Sequence, residues 1–333
     1  MPGDVVAASG RLADEVLFPA ALATDRSRAV PAAHLDALAG TGLYGLQGPP
    51  SHGGLGLAGP EARAVVEALA GGCLATTFVW VQHHRLVRAL AGADAPAALR
   101  DEWLAPLCRG ERRAGVALAG LLPGGALRAS PAGAGWVLDG ESPWVTGWGL
   151  VDVLLVAARL EGGDVAWFLV DAAEGPGVSA ERQHLVAVDA SATVRLSFDG
   201  LAVPAGRLVR VDPGAAADTA FAEGLGTNGS LALGVTGRCL RLLGPSPLDA
   251  ELNAARARLA GAGRDALPAA RAAASELALR AAAALVVHAG SRSVGLDSHP
   301  QRLAREALFL LVFGSRPPIK AALLELLQAI PST

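Results

Sequence analysis

The sequence is poor in charged residues. Only 18% of its 333 residues are Asp, Glu, Lys or Arg, Lys320 is the only lysine, and the net charge is −3 with an isoelectric point near 6.2. A field this weak would not attract nucleic acid or an anionic membrane, so we expect neither as a partner. Hydrophobic residues make up 52% of the chain, enough for a core between two or three packed layers. The composition predicts a globular protein.

Cysteine is also scarce, and none lies in a metal-binding pattern. Cys73, Cys108 and Cys239 are far apart and form no CxxC or Cys/His pair at metal spacing. The adjacent His83 and His84 fall on a predicted helix, where neighbours point about 100° apart and cannot chelate one ion. We therefore expect no metal site, and we interpret the cysteines as small buried residues in a reducing compartment.

Long apolar runs and targeting signals are missing as well. No stretch of about 18 uncharged apolar residues occurs, which is the length that a membrane span needs. The first residues, MPGDVV, contain the acidic Asp4, whereas a secretory signal would begin with a basic region followed by an apolar one. These features predict a cytoplasmic protein.

Hydrophobic periodicity divides the chain into three parts. Residues 1–111 show helical spacing, including a long helix from Glu61 to about Leu90 that Gly71 and Gly72 could interrupt. Residues 112–212 contain short β-branched or aromatic runs such as VDVLLVAARL and DVAWFLVDA, separated by Gly, Asp and Pro. Helical spacing returns over 213–333. We predict an α+β multi-domain chain with an N-terminal α-helical domain, a middle β-barrel or sandwich domain and a C-terminal helical bundle.

Three stretches of sequence carry a resemblance to a known family. They are HGGLGL at 52–57, WVLDGESPWVTGWGLVDVLLVAAR at 136–159 and VRLSFDGLAVP at 194–204. Together with the α, β, α order, they resemble the acyl-CoA dehydrogenase family of flavoproteins nearly end to end. The middle stretch is the most specific, because Trp-x-Thr follows a strand of the family's type. The resemblance implies FAD as cofactor and acyl-CoA or another acyl thioester as substrate of an α,β-dehydrogenation.

The resemblance also implies which residues meet the flavin. Trp144 would pack its indole against the isoalloxazine, and Thr146 would place its hydroxyl near N5 of the ring. Side chains two apart on a strand point to the same face, so both could meet one planar ligand. Trp148 is expected in the core. Leu118 and Ala119 occupy the positions whose backbone would reach the flavin.

The sequence departs from the family pattern where the catalytic base is expected. Most members carry a Glu in a C-terminal segment, and here Gly314 stands in that place. In a subset of members the base lies on the first helix of the C-terminal domain, where an ungapped match puts Gly224, with Glu223 one residue away. Glu223 is therefore the candidate base, although one residue on a helix is about 100° of rotation. A solvated acid in the first turn of the helix is the alternative interpretation.

A second departure concerns the far end of the cofactor. The family's Q-x-x-GG-x-G turn becomes VVHAGSRSVG here, in which Ala289-Gly290 replace the glycine pair. Arg292 could reach an FAD phosphate, and a surface arginine is the alternative interpretation. The R-x-x-F-G turn, which binds a neighbouring subunit's FAD in typical members, has no counterpart. A homodimer, or a heterotetramer with a related subunit, is the assembly that we expect.

These departures leave three functions open. The chain could be an acyl-CoA dehydrogenase or one subunit of a heteromeric one. It could be a flavin-dependent monooxygenase on the same scaffold, which would need no base for the α-proton. It could also be a non-catalytic partner subunit or pseudoenzyme.

Overall fold

The N-terminal part of the chain is helical. The computed structural model describes residues 2–121 and 126–329, except for the side chains of Pro2 and of residues 215–223. Six α-helices occupy this part, with one π-helical turn, Ala13–Leu17, between the first two: α1 (Pro2–Leu12), α2 (Phe18–Asp25), α3 (Ala32–Gly40), α4 (Gly59–Gly72), α5 (Leu74–Ala91) and α6 (Ala97–Arg109).

The long helix expected from Glu61 to Leu90 is interrupted at the two glycines. Helix α4 ends at Gly72, and α5 begins at Leu74. Between them Cys73 is extended, with φ −150° and ψ 109°. The interruption lets α4 and α5 run in different directions, and both helices line the cavity described below.

The middle of the chain forms one eight-stranded sheet. Its strands are β1 (Ala114–Ala117), β2 (Arg128–Ala132), β3 (Gly135–Val145), β4 (Val153–Arg159), β5 (Val165–Asp171), β6 (Val178–Arg182), β7 (Val194–Pro204) and β8 (Leu208–Asp212). The hydrogen-bonded order is β6-β7-β3-β2-β4-β5-β8, and β1 pairs in parallel with β4.

Strands β4 and β5 are buried on both faces, which explains their continuous apolar runs. Alternate residues of β5 divide between two cores. Trp167 packs with helices α5 and α6, whereas Phe168 packs with side chains of β3, β4 and β7. The sheet is therefore covered by helices on one side and by its own remaining strands on the other.

Helices return after the last strand and continue to the end of the described chain. They are α7 (Gly214–Leu243), α8 (Leu248–Gly261), α9 (Leu267–Ala289), α10 (His299–Val312) and α11 (Pro317–Gln328), with a 3-10 segment at Gly290–Val294. A helical first part, a middle sheet and a helical last part confirm the predicted fold class. The division at residues 111 and 212 stays a prediction.

One helical stretch in the described chain is long and apolar enough to cross a membrane by length and composition. It covers Leu267–Val294, and 44% of its most apolar window is buried inside the structure. Within the bundle α9 contacts α7, α8, α10 and α11. A central helix of a bundle has the same composition, because it is surrounded by other helices.

Helices α4 and α7 cross at two glycines. A Cβ on Gly71 would lie 3.0 Å from the carbonyl oxygen of Gly234, and a Cβ on Gly234 would overlap the carbonyl oxygen of Glu67. At the same crossing the Nε of Arg238 donates to the carbonyl oxygen of Gly71 at 2.5 Å, and its guanidinium pairs with Asp14. The N-terminal and C-terminal helical parts of the chain are thus in direct backbone contact at this crossing.

Gly234→Ala should destabilise the protein by about 1–3 kcal/mol, because the new methyl group would force α4 and α7 apart. Gly237→Ala is the matched control on the same helix, since a Cβ there meets nothing closer than 3.8 Å. That control should be neutral or slightly stabilising, because Ala favours a helix over Gly by roughly 0.5–1 kcal/mol. Denaturant unfolding of the two variants measures the difference. Equal free energies of unfolding for the two variants would show that α4 and α7 can move apart without cost, which would contradict the prediction.

Candidate functional site

A cavity of about 830 Å³ lies where the three parts of the chain meet. Its walls come from helices α4 and α5, from the ends of β1 and β3, from the segment before β7, and from α7 and α10. Cavities of 300–1,000 Å³ typically hold cofactors and drug-sized ligands. Its lining includes Ala62, Arg63, Val66, Phe78, Gln82, His84, Arg85, Arg88, Leu118, Ala119, Trp144, Thr146, Thr193, Gly224, Asn228, Phe309, Phe313, Gly314 and Arg316.

Trp144 and Thr146 line this cavity together, but regular strand alternation is not the reason. Between Ser142 and Val145 strand β3 has one residue more than β7, and Trp144 takes φ 62° within this bulge. The Trp144 N–H does not take part in the β-sheet pairing with β7 but donates to Oε1 of Gln183 at 2.8 Å. The expectation of a regular extended segment is therefore wrong at this point.

The bulge presents the indole of Trp144 to the cavity. The residue is 57% exposed, an unusual state for tryptophan, while Thr146 just beyond the strand end is buried. The Thr146 hydroxyl lies 3.4 Å from that of Thr193, which is 2.8 Å from the Ser191 hydroxyl. Trp148 is half-buried against the sheet core, where the sequence placed it. One side of the cavity thus offers a flat aromatic surface beside a hydroxyl group.

The remaining predicted site residues do not all reach the cavity. Leu118 and Ala119, which follow β1, line it. Gly290 and Arg292 lie in the 3-10 segment after α9 and are not part of the lining. The side chain of Glu223 lies outside the described residues. The roles proposed for Gly290, Arg292 and Glu223 stay predictions.

Gly314 is part of the cavity wall and faces a residue that the sequence reasoning missed. It has φ +60°, and a Cβ at this position would lie 2.9 Å from the amide nitrogen of Asn228. Asn228 is half-buried on α7 and has no hydrogen bond to another described residue. The signal was available, since Asn228 stands four residues after Gly224 and so shares its helix face. Among the described lining residues there is no carboxylate.

The α5 wall changes from aromatic to polar along the helix. Phe78 packs edge-on against Phe309 and Phe313, with ring centroids 5.1 and 4.7 Å apart. Gln82 and His84 follow on the same wall. His84 is only 3% exposed, and neither ring nitrogen has a hydrogen-bond partner within the described chain. An unpaired buried polar group of this kind costs about 1–3 kcal/mol.

Burial holds both adjacent histidines in the neutral form. Desolvation lowers the pKa of His83 to about 3. It also lowers the pKa of His84 well below its ordinary value, with smaller contributions from His83 and Arg88. Nδ1 of His83 accepts a hydrogen bond from the Ala114 N–H at 3.0 Å, which ties α5 to β1.

Comparison with known proteins relates the chain to one family. Residues 4–111 match the family described as acyl-CoA dehydrogenase, N-terminal domain. A benzylmalonyl-CoA dehydrogenase from Aromatoleum aromaticum is 31% identical over 207 residues, which are 58% of this chain and 53% of that protein. A 3-sulfinopropanoyl-CoA desulfinase from Paraburkholderia xenovorans is 30% identical over 58% of this chain and 52% of its own. The chain thus spans about half the length of the curated relatives it matches.

Solved structures share the fold over nearly the whole chain. The butyryl-CoA dehydrogenase of Megasphaera elsdenii has a TM-score of 0.84 at 18% identity, covering 97% of this chain and 96% of its own. A glutaryl-coenzyme A dehydrogenase in complex with glutaryl-CoA has a TM-score of 0.86 at 18% identity, covering 98% and 95%. At these identities the likeness establishes the fold.

The free energy of unfolding should fall with acidification below about pH 6.5. The unfolded chain binds protons at the histidines near that pH, whereas folded His83 stays neutral down to about pH 3. Each such histidine contributes a slope of about 1.4 kcal/mol per pH unit in this window. Denaturant unfolding of His83→Gln between pH 6 and pH 4.5 should show a slope shallower by about that amount.

His288→Gln, at an exposed position on α9, is the control for the loss of any one histidine. A slope that is the same in the His83 variant, the His288 variant and the natural protein would contradict this prediction.

Proposed function

We propose that the chain is a flavoprotein acting on an acyl thioester, because residues 4–111 match the N-terminal-domain family of the acyl-CoA dehydrogenases and solved structures of such enzymes share its fold. The observation that carries the proposal is the half-exposed indole of Trp144 beside the Thr146 hydroxyl on the wall of an 830 Å³ cavity. The two curated relatives named above, each 30–31% identical, are named for CoA thioesters, which supports this class of substrate.

The residues of the cavity fit FAD. Trp144 would pack against the isoalloxazine, Thr146 would hydrogen-bond near its N5, and the backbone at Leu118 and Ala119 would hold its pyrimidine edge. When bound, FAD supplies the acceptor for the hydride that leaves the β-carbon of the acyl group.

The second requirement of α,β-dehydrogenation is a base for the α-proton. Gly314 cannot take a proton, and the amide of Asn228 lies where a side chain from position 314 would enter. We propose Glu223 as the base. It directly precedes Gly224, which lines the cavity.

The chain is proposed to work in an assembly, as a homodimer or as one subunit of a heterotetramer with a related chain. Large apolar side chains are exposed near the end of α9, where Val287 is 81%, Val294 79% and Leu296 68% exposed. A monomer rarely leaves such residues clustered in water. Gly290 and Arg292 lie in this same segment, so contact with a cofactor across a subunit interface is consistent with their position.

The cytoplasm is the proposed location. Cys73, Cys108 and Cys239 are all buried and unpaired, as expected of thiols in a reducing compartment.

The absence of a side chain at Gly314 also favours a second candidate, a subunit or pseudoenzyme that does not itself remove the proton. A flavin-dependent monooxygenase would likewise need no α-proton base. Oxygen consumption with reduced flavin and a candidate substrate separates the monooxygenase from the dehydrogenase, because a dehydrogenase bleaches the flavin without oxygen.

Trp144→Ala should weaken FAD binding by roughly tenfold, since the loss of aromatic stacking and buried area removes more than 1 kcal/mol. Trp136→Ala is the matched control, because Trp136 lies on the same strand with its ring edge toward Phe168, outside the cavity lining. Flavin absorbance titration measures both affinities. Unchanged binding in Trp144→Ala, or an equal loss in the control, would contradict a flavin beside this indole.

Glu223→Gln should slow flavin bleaching by an acyl thioester by about 10²–10⁴-fold, the range for loss of a general base, and leave FAD binding unchanged. Anaerobic stopped-flow absorbance measures the rate. Bleaching at the rate of the natural protein would place the base at another residue of this chain or on a partner subunit.

A further inference from the structure

Unfavourable backbone conformations in the described chain are concentrated beside one wall of the cavity. Among the described residues, three other than glycine take a positive φ: Trp144 at 62°, Val188 at 53° and Ala192 at 50°. Trp144 belongs to the lining, and the other two lie in the connection between β6 and β7, residues 183–193, part of which lines the cavity as well. Positive φ is strained for Trp and Val, and such strain persists only where the surroundings enforce it.

The connection between β6 and β7 is held by hydrogen bonds from all three parts of the chain. The Val30 N–H, just before α3, donates to the Ala190 carbonyl oxygen at 2.8 Å. The Gly147 N–H, just beyond β3, donates to the Ser191 carbonyl oxygen at 2.9 Å. From α10, Nη1 of Arg305 donates to a third carbonyl oxygen of the connection at 2.7 Å. The connection is therefore a fixed support beside the cavity.

Gln183 joins this support to Trp144. Its backbone N–H donates to the Thr193 carbonyl oxygen at 2.9 Å, which continues the pairing of β6 with β7. Its side chain extends toward β3, on the far side of β7, where Oε1 accepts the Trp144 N–H at 2.8 Å. The Gln183 amide thus supplies the acceptor that β7 would offer in a regular antiparallel ladder.

We propose that Gln183 is a positioning residue for the flavin, because its side-chain oxygen holds residue 144 at positive φ and so keeps the indole on the cavity wall. At the negative φ of a regular strand, the Cα–Cβ bond of Trp144 would point in another direction. Gln183 is not among the lining residues, so it acts through Trp144 and not by contact with the ligand. The inference rests on the proposed function, since it takes the isoalloxazine to be the ligand of the indole.

Gln183→Leu removes the acceptor and keeps a side chain of similar size. FAD affinity should fall about three- to tenfold, the range for the loss of one hydrogen bond. The emission of bound flavin should rise, because an indole in contact with the isoalloxazine quenches it. Gln183→Glu keeps an oxygen acceptor at the same distance from the backbone and should restore both properties. Flavin absorbance titration and emission spectra of the FAD-loaded variants measure them.

A double variant separates positioning from a general structural role. In the Trp144→Ala background, Gln183→Leu should change FAD affinity by less than about twofold, because no indole remains to be held in place. His184→Leu is the matched control, since His184 is the exposed next residue and lies outside the cavity lining. It should leave the affinity and the emission of the natural protein unchanged.

Three results would overturn the inference and leave the proposed function in place. One is natural affinity and emission in Gln183→Leu, and another is a loss of equal size with and without the indole of Trp144. The third is failure of Gln183→Glu to restore binding, because an acceptor oxygen would then not be what residue 183 contributes. A natural protein that binds no FAD would overturn the proposed function and the inference together.

Discussion

The close crossing of α4 and α7 is the contact on which the cavity depends. These helices belong to different ends of the chain, and Gly71 and Gly234 let their backbones touch. One side of the cavity is formed by Ala62 and Val66 of α4, and another by the stretch of α7 that ends at Asn228. Because both walls extend from one crossing, its geometry sets the width of the cavity. Arg238 holds the crossing closed by bonding to the Gly71 carbonyl oxygen and to Asp14.

Local irregularities shape the site on this scaffold. The bulge at Trp144 turns its indole out of the sheet and into the cavity. Gly314 has a positive φ and no side chain, and the amide of Asn228 lies beside the place that a Cβ would take. Both features are backbone conformations that most residues avoid. The site therefore combines a wall suited to a planar ligand with a wall whose described lining side chains include no carboxylate.

The features of this fold that could be predicted from the sequence are those that depend on local sequence pattern. Helical spacing, β-branched runs and the glycine pair before Cys73 predict the order of elements and the interruption between α4 and α5. The position of Trp144 beside Thr146 followed from a motif, yet the geometry behind it was wrong, because alternation cannot foresee a bulge. Asn228 could have been found, because it lies four residues after Gly224 on the same helix face. His84 could not be placed from the sequence, since its surroundings depend on which helices meet. Gly290 and Arg292 were proposed from a local turn motif. Such a motif does not tell which cavity, or which subunit, its residues contact.

The polarity of the α5 wall is a fixed property of the fold. The burial that isolates His84 from hydrogen-bond partners also lowers its pKa, so the ring stays neutral near pH 7. Protonation would also be opposed by Arg88 on the same helix. Since aromatic rings close the other part of the wall, a ligand that fills the whole cavity has to combine a hydrocarbon segment with a polar end. That requirement follows from the placement of Phe78 and Gln82 on one face of the same helix, and it holds whatever base the reaction uses.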